Sequence, residues 1–213
     1  MLPELYYISQ GRTVEEHLQH VETVLKAGVR MIQLRIKGIP YEEWLYAAGA
    51  CTEMCKKFQA ICIINDSPEI AKNCGAHGVH TGRQDPDPQS TRNIMGQNPF
   101  LLGLTAHSYD EFVAGIQHQP DYIGLGPFRN SPTKTDTVTP LGFKGIADIL
   151  KKIPVNIPVY AIGGIRADDV TDLLKAGCYG VAVSSDLTGS FYEIEQKVKH
   201  YEYIFRRRSA YHS

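Results

Sequence analysis

Residues Pro158–Ser185, PVYAIGGIRADDVTDLLKAGCYGVAVSS, contain one complete unit of the fold. Pro158–Gly163 and Gly180–Ser185 read as short apolar strands, and Ala167–Ala176 reads as the helix between them. The first strand stops at Gly163-Gly164 and the second at Ser184-Ser185. Both stops consist of small residues whose backbone N–H groups can approach a ligand closely.

The same alternation extends to both ends of the chain. Upstream, Leu5–Ser9 is a strand, followed by a helix over Thr13–Ala27 with Thr13 and Glu16 at capping-box spacing and Gly28 as its stop. Then come Met31–Ile36, a helix over Tyr41–Phe58, Ile61–Asp66, a short helix over Pro68–Cys74, and Gly78–Gly82. A helix through Thr91–Met95 precedes Phe100–Ala106, and Ser108–Gln117 is helical with Ser108 and Glu111 at capping-box spacing. A sixth strand begins Asp121–Gly142, a long loop follows, and Phe143–Lys152 is helical; Glu193–Arg207 closes the chain. Eight strand–helix pairs in 213 residues point to one compact α/β domain, a (β/α)8 TIM barrel over residues 1–213 with a basic tail at about 206–213. An open doubly wound sheet is the competing architecture. It is disfavoured because no GxGxxG follows the first strand and polar residues end many strands rather than one reversal point.

Composition narrows the functional classes. Hydrophobic residues make up 43% of the chain and charged residues 21%, enough apolar surface for a sizeable core. A formal net charge of −1 argues against a protein built to coat nucleic acid or an anionic membrane. Arg206-Arg207-Arg208 reads as a solvated helix end. The five cysteines, Cys51, Cys55, Cys62, Cys74 and Cys178, form no CxxC pair and read as reduced core thiols. With no membrane-length apolar run and no basic start to the N-terminus, a cytoplasmic location is expected. Oligomeric state is open, a homo-oligomer included.

In a barrel, ligands bind where strands finish, so strand ends should carry the chemistry. The second strand ends in Gln33, Arg35 and Lys37, the third in Asn65 and Asp66, and the fourth runs through Thr81 to Asp85. The fifth ends in Thr105 and His107. Gly163, Gly164, Ser184 and Ser185 suit the backbone cup for a phosphate that barrels build after strands seven and eight. Arg35 and Lys37, on one strand face, meet either an anion or a carboxylate such as Asp66 or Glu69. Asp66 and Asp85 could serve as acid and base or hold a hard cation, and Asp66 could instead cap the next helix. Phosphate ligands favour Mg2+ there, because two bare carboxylates would repel them. His80 packs beneath a helix or reaches the mouth, and His107 faces the mouth or caps a turn. Finally, Asp121–Gly142 follows Gly124, Gly126 and Pro127 with Ser131, Thr133, Lys134, Thr135 and Asp136, hydroxyls plus an ammonium suited to phosphate oxygens.

QLRIK, IND, GVHTGRQD, GLTAH, IGLGPFRNSPTKTDT, AIGGI and GVAVSS occur in an order that resembles the thiamine phosphate synthase family, within the superfamily shared with thiazole tautomerases. The resemblance spans nearly the whole chain. It implies Mg2+-assisted coupling of a hydroxymethylpyrimidine pyrophosphate to a thiazole phosphate, with release of pyrophosphate. It also implies that Asp66 and Asp85 hold the metal, and that Gln33, Arg35, Lys37, Asn65 and Lys134 surround the pyrophosphate. By the same resemblance Thr105 lies by the pyrimidine, Ser131 and Thr133 face the thiazole phosphate, and Gly164, Ser184 and Ser185 form its cup. This chain departs from the family pattern at Ile36 (usually Glu), Ser67 (commonly Asp) and Arg83-Gln84 (usually Gln-Glu). A tautomerase is expected to carry His where Pro127 stands. A non-catalytic phosphate binder would have little use for the Asp66/Asp85 pair.

Overall fold

A computed structural model, which describes residues 1–130, 139–152 and 156–208, closes the alternation into a ring. Among these residues eight parallel strands pair in sequence order, and the last returns to the first, with Leu5 opposite Val181 and Tyr7 opposite Val183. The strands are β1 (Leu5–Ile8), β2 (Met31–Leu34), β3 (Ile61–Asn65), β4 (Gly78–Thr81), β5 (Leu101–Ala106), β6 (Tyr122–Leu125), β7 (Val159–Ile162) and β8 (Gly180–Val183). The helices between and after them are α1 (Val14–Lys26), α2 (Tyr41–Lys57), α3 (Pro68–Asn73), α4 (Pro88–Met95), α5 (Tyr109–Gln117), α6 (Gly142–Lys152), α7 (Val170–Lys175) and α8 (Phe191–Arg206).

Strand parity sorts the side chains into two layers. Tyr6, Met31, Ile63, Tyr122, Tyr160, Ile162 and Ala182 fill the barrel interior, while their neighbours Tyr7, Ile32, Ile64, Ile123, Ala161 and Val181 face the helices. Counting by two along the inward face leads from Met31 to Gln33, from Ile63 to Asn65 and from Ala182 to Ser184. The barrel's own periodicity therefore aims these polar residues into its C-terminal mouth. Gly103 makes room for this packing. A Cβ there would overlap the Tyr122 ring and stand 2.5 Å from His80 Nδ1.

Local chemistry fixes the helix starts. Thr13, Ser67, Asp87, Ser108 and Ser190 each accept a backbone N–H of the following turn, satisfying donors a helix leaves free. Asp66 is therefore not the cap of α3. Ser67 takes that place, and Asp66 sits just before it at φ 66°, a left-handed conformation uncommon outside glycine. Strand β2 ends at Leu34, two residues before the expected Ile36, as the chain turns outward to Gly38 and Pro40. Helices α4 and α8 begin at Pro88 and Phe191, earlier than expected, because Asp87 and Ser190 supply the caps.

The basic end of α8 is not wholly solvated. Arg206 and Arg207 are exposed, but Arg208 donates to the carbonyls of Cys178 and Tyr179 and pairs with Glu4 at 3.1 Å. It ties the last helix to the bottom of the barrel. No helix among the described residues is long and apolar enough to cross a membrane.

Candidate active site

The strand C-terminal ends open on a cavity of about 580 Å³. Gln33, Arg35, Lys37, Asn65, Thr105, Gly164, Ser184 and Ser185 all line it, so eight expected site residues from five strand ends meet in one place. Asp66 and Asp85 stand beside this cavity rather than in its lining. Ser131, Thr133, Lys134, Thr135 and Asp136 lie outside the described residues.

A buried chain of hydrogen bonds forms the cavity floor. Gln33 Nε2 donates to Tyr6 Oη at 2.6 Å, Tyr6 and Tyr122 hydroxyls are 2.9 Å apart, and Tyr122 Oη lies 3.2 Å from His80 Nδ1. His80 Nε2 then meets Thr105 Oγ1 at 2.7 Å. His80 thus points into the barrel and supports the floor; it does not pack beneath a helix. Tyr6 accepts from Gln33, so its hydroxyl can donate to Tyr122, and Tyr122 can in turn donate to His80 Nδ1. In that arrangement His80 carries its proton on Nε2 and donates to Thr105, which leaves the Thr105 proton available to a ligand acceptor. Gln33 and Thr105, three strands apart around the mouth, are thereby joined through one buried hydrogen-bonded chain. Burial keeps the Tyr6 and Tyr122 hydroxyls well above the ordinary phenol range, so both remain protonated.

The two carboxylates face each other. Burial, reinforced by the hydrogen-bonding and charge of Asp66, pushes the Asp85 carboxyl up to about 6. Gly82 N–H donates to Asp85 Oδ2 at 2.7 Å, and Lys37 Nζ pairs with Asp66 Oδ2 at 3.2 Å. One ammonium against two crowded carboxylates leaves negative charge in excess, and oxygen-only donors of this kind suit a hard divalent cation such as Mg2+. The residues present fit that ion. Arg83, at a departure from the family pattern, reaches Glu111 at 3.6 Å rather than the carboxylate pair.

Cationic and amide groups complete that side of the mouth. Arg35 is paired with no described carboxylate, and Asn65, 5% exposed, has a buried Nδ2 with no partner. A buried donor without an acceptor is costly, so Asn65 Nδ2 is available to donate to a ligand acceptor in the cavity.

The opposite side is made by the loops after β6, β7 and β8. Gly163 and Gly164 lie at φ 88° and 71°, where other residues are strained, and a Cβ on Gly164 would strike Arg129. Arg129 was not anticipated from the sequence. Its guanidinium forks onto Asp169 with two bonds of 2.7 Å, and also donates to the Gly164 carbonyl. Its backbone N–H bonds to Gly163 O at 3.0 Å. Ser185 opens a short helical turn over Ser185–Leu187 beside the same cavity.

Ser9 and His17 were also missed. Ser9 Oγ accepts the Arg35 N–H at 2.9 Å and lies 2.9 Å from His17 Nδ1. Burial pulls His17 below the ordinary imidazole range, which favours the uncharged ring beside Ser9. The pair pins the backbone of Arg35 to β1 and α1. His107 does not cap α5, which Ser108 does; its Nδ1 meets the Gly126 carbonyl and its backbone N–H meets Glu111.

A parallel barrel whose C-terminal mouth joins two acids, two cations and a glycine-serine cup defines an enzyme class that handles phosphorylated small molecules. The thiamine monophosphate synthase family matches residues 5–187, and the chain belongs to that family. It is 38% identical over 193 residues to a thiamine-phosphate synthase of Flavobacterium psychrophilum, covering 89% of this chain and 93% of that one. It is 35% identical over 211 residues to the thiamine-phosphate synthase of Lysinibacillus sphaericus, covering 95% and 96%. Among solved structures, a thiamine phosphate pyrophosphorylase from Pyrococcus furiosus superposes with a TM-score of 0.84 at 25% identity, covering 96% of both chains.

Proposed function

We propose that the protein is a transferase that joins a hydroxymethylpyrimidine pyrophosphate to a thiazole phosphate, giving thiamine phosphate and pyrophosphate. The observation that carries this reading is the meeting of Asp66, Asp85, Lys37 and Arg35 at one edge of a cavity whose far edge is Gly164, Ser184 and Ser185. Relatives named thiamine-phosphate synthase support it.

Gln33 and Thr105, joined by the floor chain, orient the pyrimidine; the Thr105 hydroxyl donates to a ring acceptor. Arg35, Lys37, Asn65 and Lys134 hold the diphosphate, and the unpaired Asn65 Nδ2 donates to one of its oxygens. Asp66 and Asp85 would hold Mg2+, which would neutralise the diphosphate and make it a better leaving group. Gly164, Ser184 and Ser185, with Ser131 and Thr133, receive the thiazole phosphate, so that the ring nitrogen lies over the carbon losing pyrophosphate. These residues contribute chiefly by positioning and by stabilising departing negative charge. Each charge-assisted contact to the leaving group is worth about 1.5–3 kcal/mol, so Lys37→Ala costs at least about tenfold in rate.

The test is incubation of the purified protein with both substrates and Mg2+, with thiamine phosphate and pyrophosphate both quantified. One-to-one formation of the two products bears the reading out. Thiazole phosphate binding with no product formed contradicts it and leaves a phosphate-ligand binder.

A further inference from the structure

Away from the mouth, on the outer face of the barrel, three thiols converge. Cys51 and Cys55 lie one turn apart on the buried face of α2, and Cys62 projects outward from β3 to meet them. Their sulfurs lie within 4.8 Å of one another, all three residues are fully buried, and the Cys51 and Cys62 sulfurs are 3.8 Å apart. Ordinary apolar packing does not require three sulfurs this near one another. A metal ion does: roughly 2.3 Å bonds to three sulfurs in a plane hold them about 4.0 Å apart. The 3.8 Å between the Cys51 and Cys62 sulfurs is close to that.

We propose that Cys51, Cys55 and Cys62 form a three-coordinate thiolate site for a soft monovalent cation of the copper(I) class. Sulfur ligands select soft ions. Structural zinc takes four ligands, and among the described residues no fourth Cys, His or carboxylate joins the group. The Thr52 hydroxyl also donates to the Cys62 sulfur at 3.5 Å, which holds that ligand in place beside the other two. Thr52 Oγ1 also lies 3.6 Å from the half-buried Cys74 sulfur. The site differs in hardness from Asp66 and Asp85, whose oxygens would not compete for copper(I).

The test uses the reduced full chain under anaerobic conditions, with copper(I) supplied as its bathocuproine disulfonate complex. The protein is expected to withdraw one equivalent from the chelator, with a thiolate-to-copper absorption in the near ultraviolet. Cys62→Ser should weaken binding at least tenfold, and Cys178→Ser should leave it unchanged. Because Cys62→Ser could disturb folding, Cys51→Ala and Cys55→Ala are measured as well, each checked by circular dichroism, and each should also lose tenfold or more. The proposal is overturned if the chelator retains all the copper, if zinc displaces it, or if the folded Cys51→Ala and Cys55→Ala variants bind as tightly as the parent.

Discussion

Arg129 and Asp169 face each other as a fork, with both terminal guanidinium nitrogens 2.7 Å from the two carboxylate oxygens. The pair spans the loops that follow β6 and β7, and Asp169 also accepts the Arg166 backbone N–H at 2.8 Å. It braces the cup at Gly163 and Gly164 from outside. The side chains are 37% and 15% exposed, so solvent screening leaves the pair worth roughly 1 kcal/mol. Arg129→Ala should raise the KM for the thiazole phosphate about fivefold, by loosening Gly164, with little change in the KM for the diphosphate substrate. Steady-state kinetics with each substrate varied in turn checks this.

The floor chain gives a second prediction. Tyr122→Phe removes one hydroxyl and leaves His80 Nδ1 and the Tyr6 proton without their partner, at a cost of about 1–3 kcal/mol in stability. Thr105 and Gln33 lose the chain that joins them as well. The variant should melt earlier and show a lower kcat/KM for the pyrimidine substrate, while thiazole phosphate binding is unchanged. Thermal melts and substrate titrations read both.

Gly103 is a sharper test of packing. Its missing side chain makes room for the Tyr122 ring and the His80 imidazole, neither of which can move without breaking the floor chain. Gly103→Ala should therefore cost near the upper end for overpacking, about 3 kcal/mol. Gly49, with open space around its Cβ position, provides the control: Gly49→Ala within α2 should be neutral or stabilising in the same denaturation experiment.

Asp85 sets a pH dependence whose sign follows from its upward shift. The folded protein holds the Asp85 proton more tightly than the unfolded chain, with the carboxyl raised from 3.8 to about 6. Stability of the metal-free protein therefore falls as pH rises through that interval, and the full cost is present above it. In EDTA at pH 7.5, Asp85→Asn should melt higher than the parent, by roughly 2–4 °C per kcal/mol relieved, and the gap should narrow toward pH 4. Calorimetry across that range measures it.

Much of the barrel could be read in advance because each strand is a short apolar run with its own stop, and each helix carries its own cap. The inward polar residues were legible for the same reason: Gln33, Asn65, Thr105 and Ser184 end such runs. What could not be read is set by contacts distant in sequence. Arg129 meets Asp169 forty positions on, and Arg208 meets Glu4 across nearly the whole chain. A cap was the competing reading of Asp66, but Ser67 stands nearer the helix and its hydroxyl reaches the Ile70 N–H at 3.2 Å. Ser9 and His17 carried only a weak signal, a hydroxyl at the end of the first strand and a histidine on the apolar face of the first helix.

Titration calorimetry of the pyrimidine diphosphate substrate, with and without Mg2+, tests most directly whether Asp66 and Asp85 join through a metal to hold the diphosphate. For the parent, Mg2+ should tighten binding at least about tenfold, a gain of some 1.4 kcal/mol or more. For Asp85→Asn that gain should vanish while the fold survives. Equal affinity with and without Mg2+ in the parent, or an undiminished Mg2+ effect in Asp85→Asn, would contradict the account.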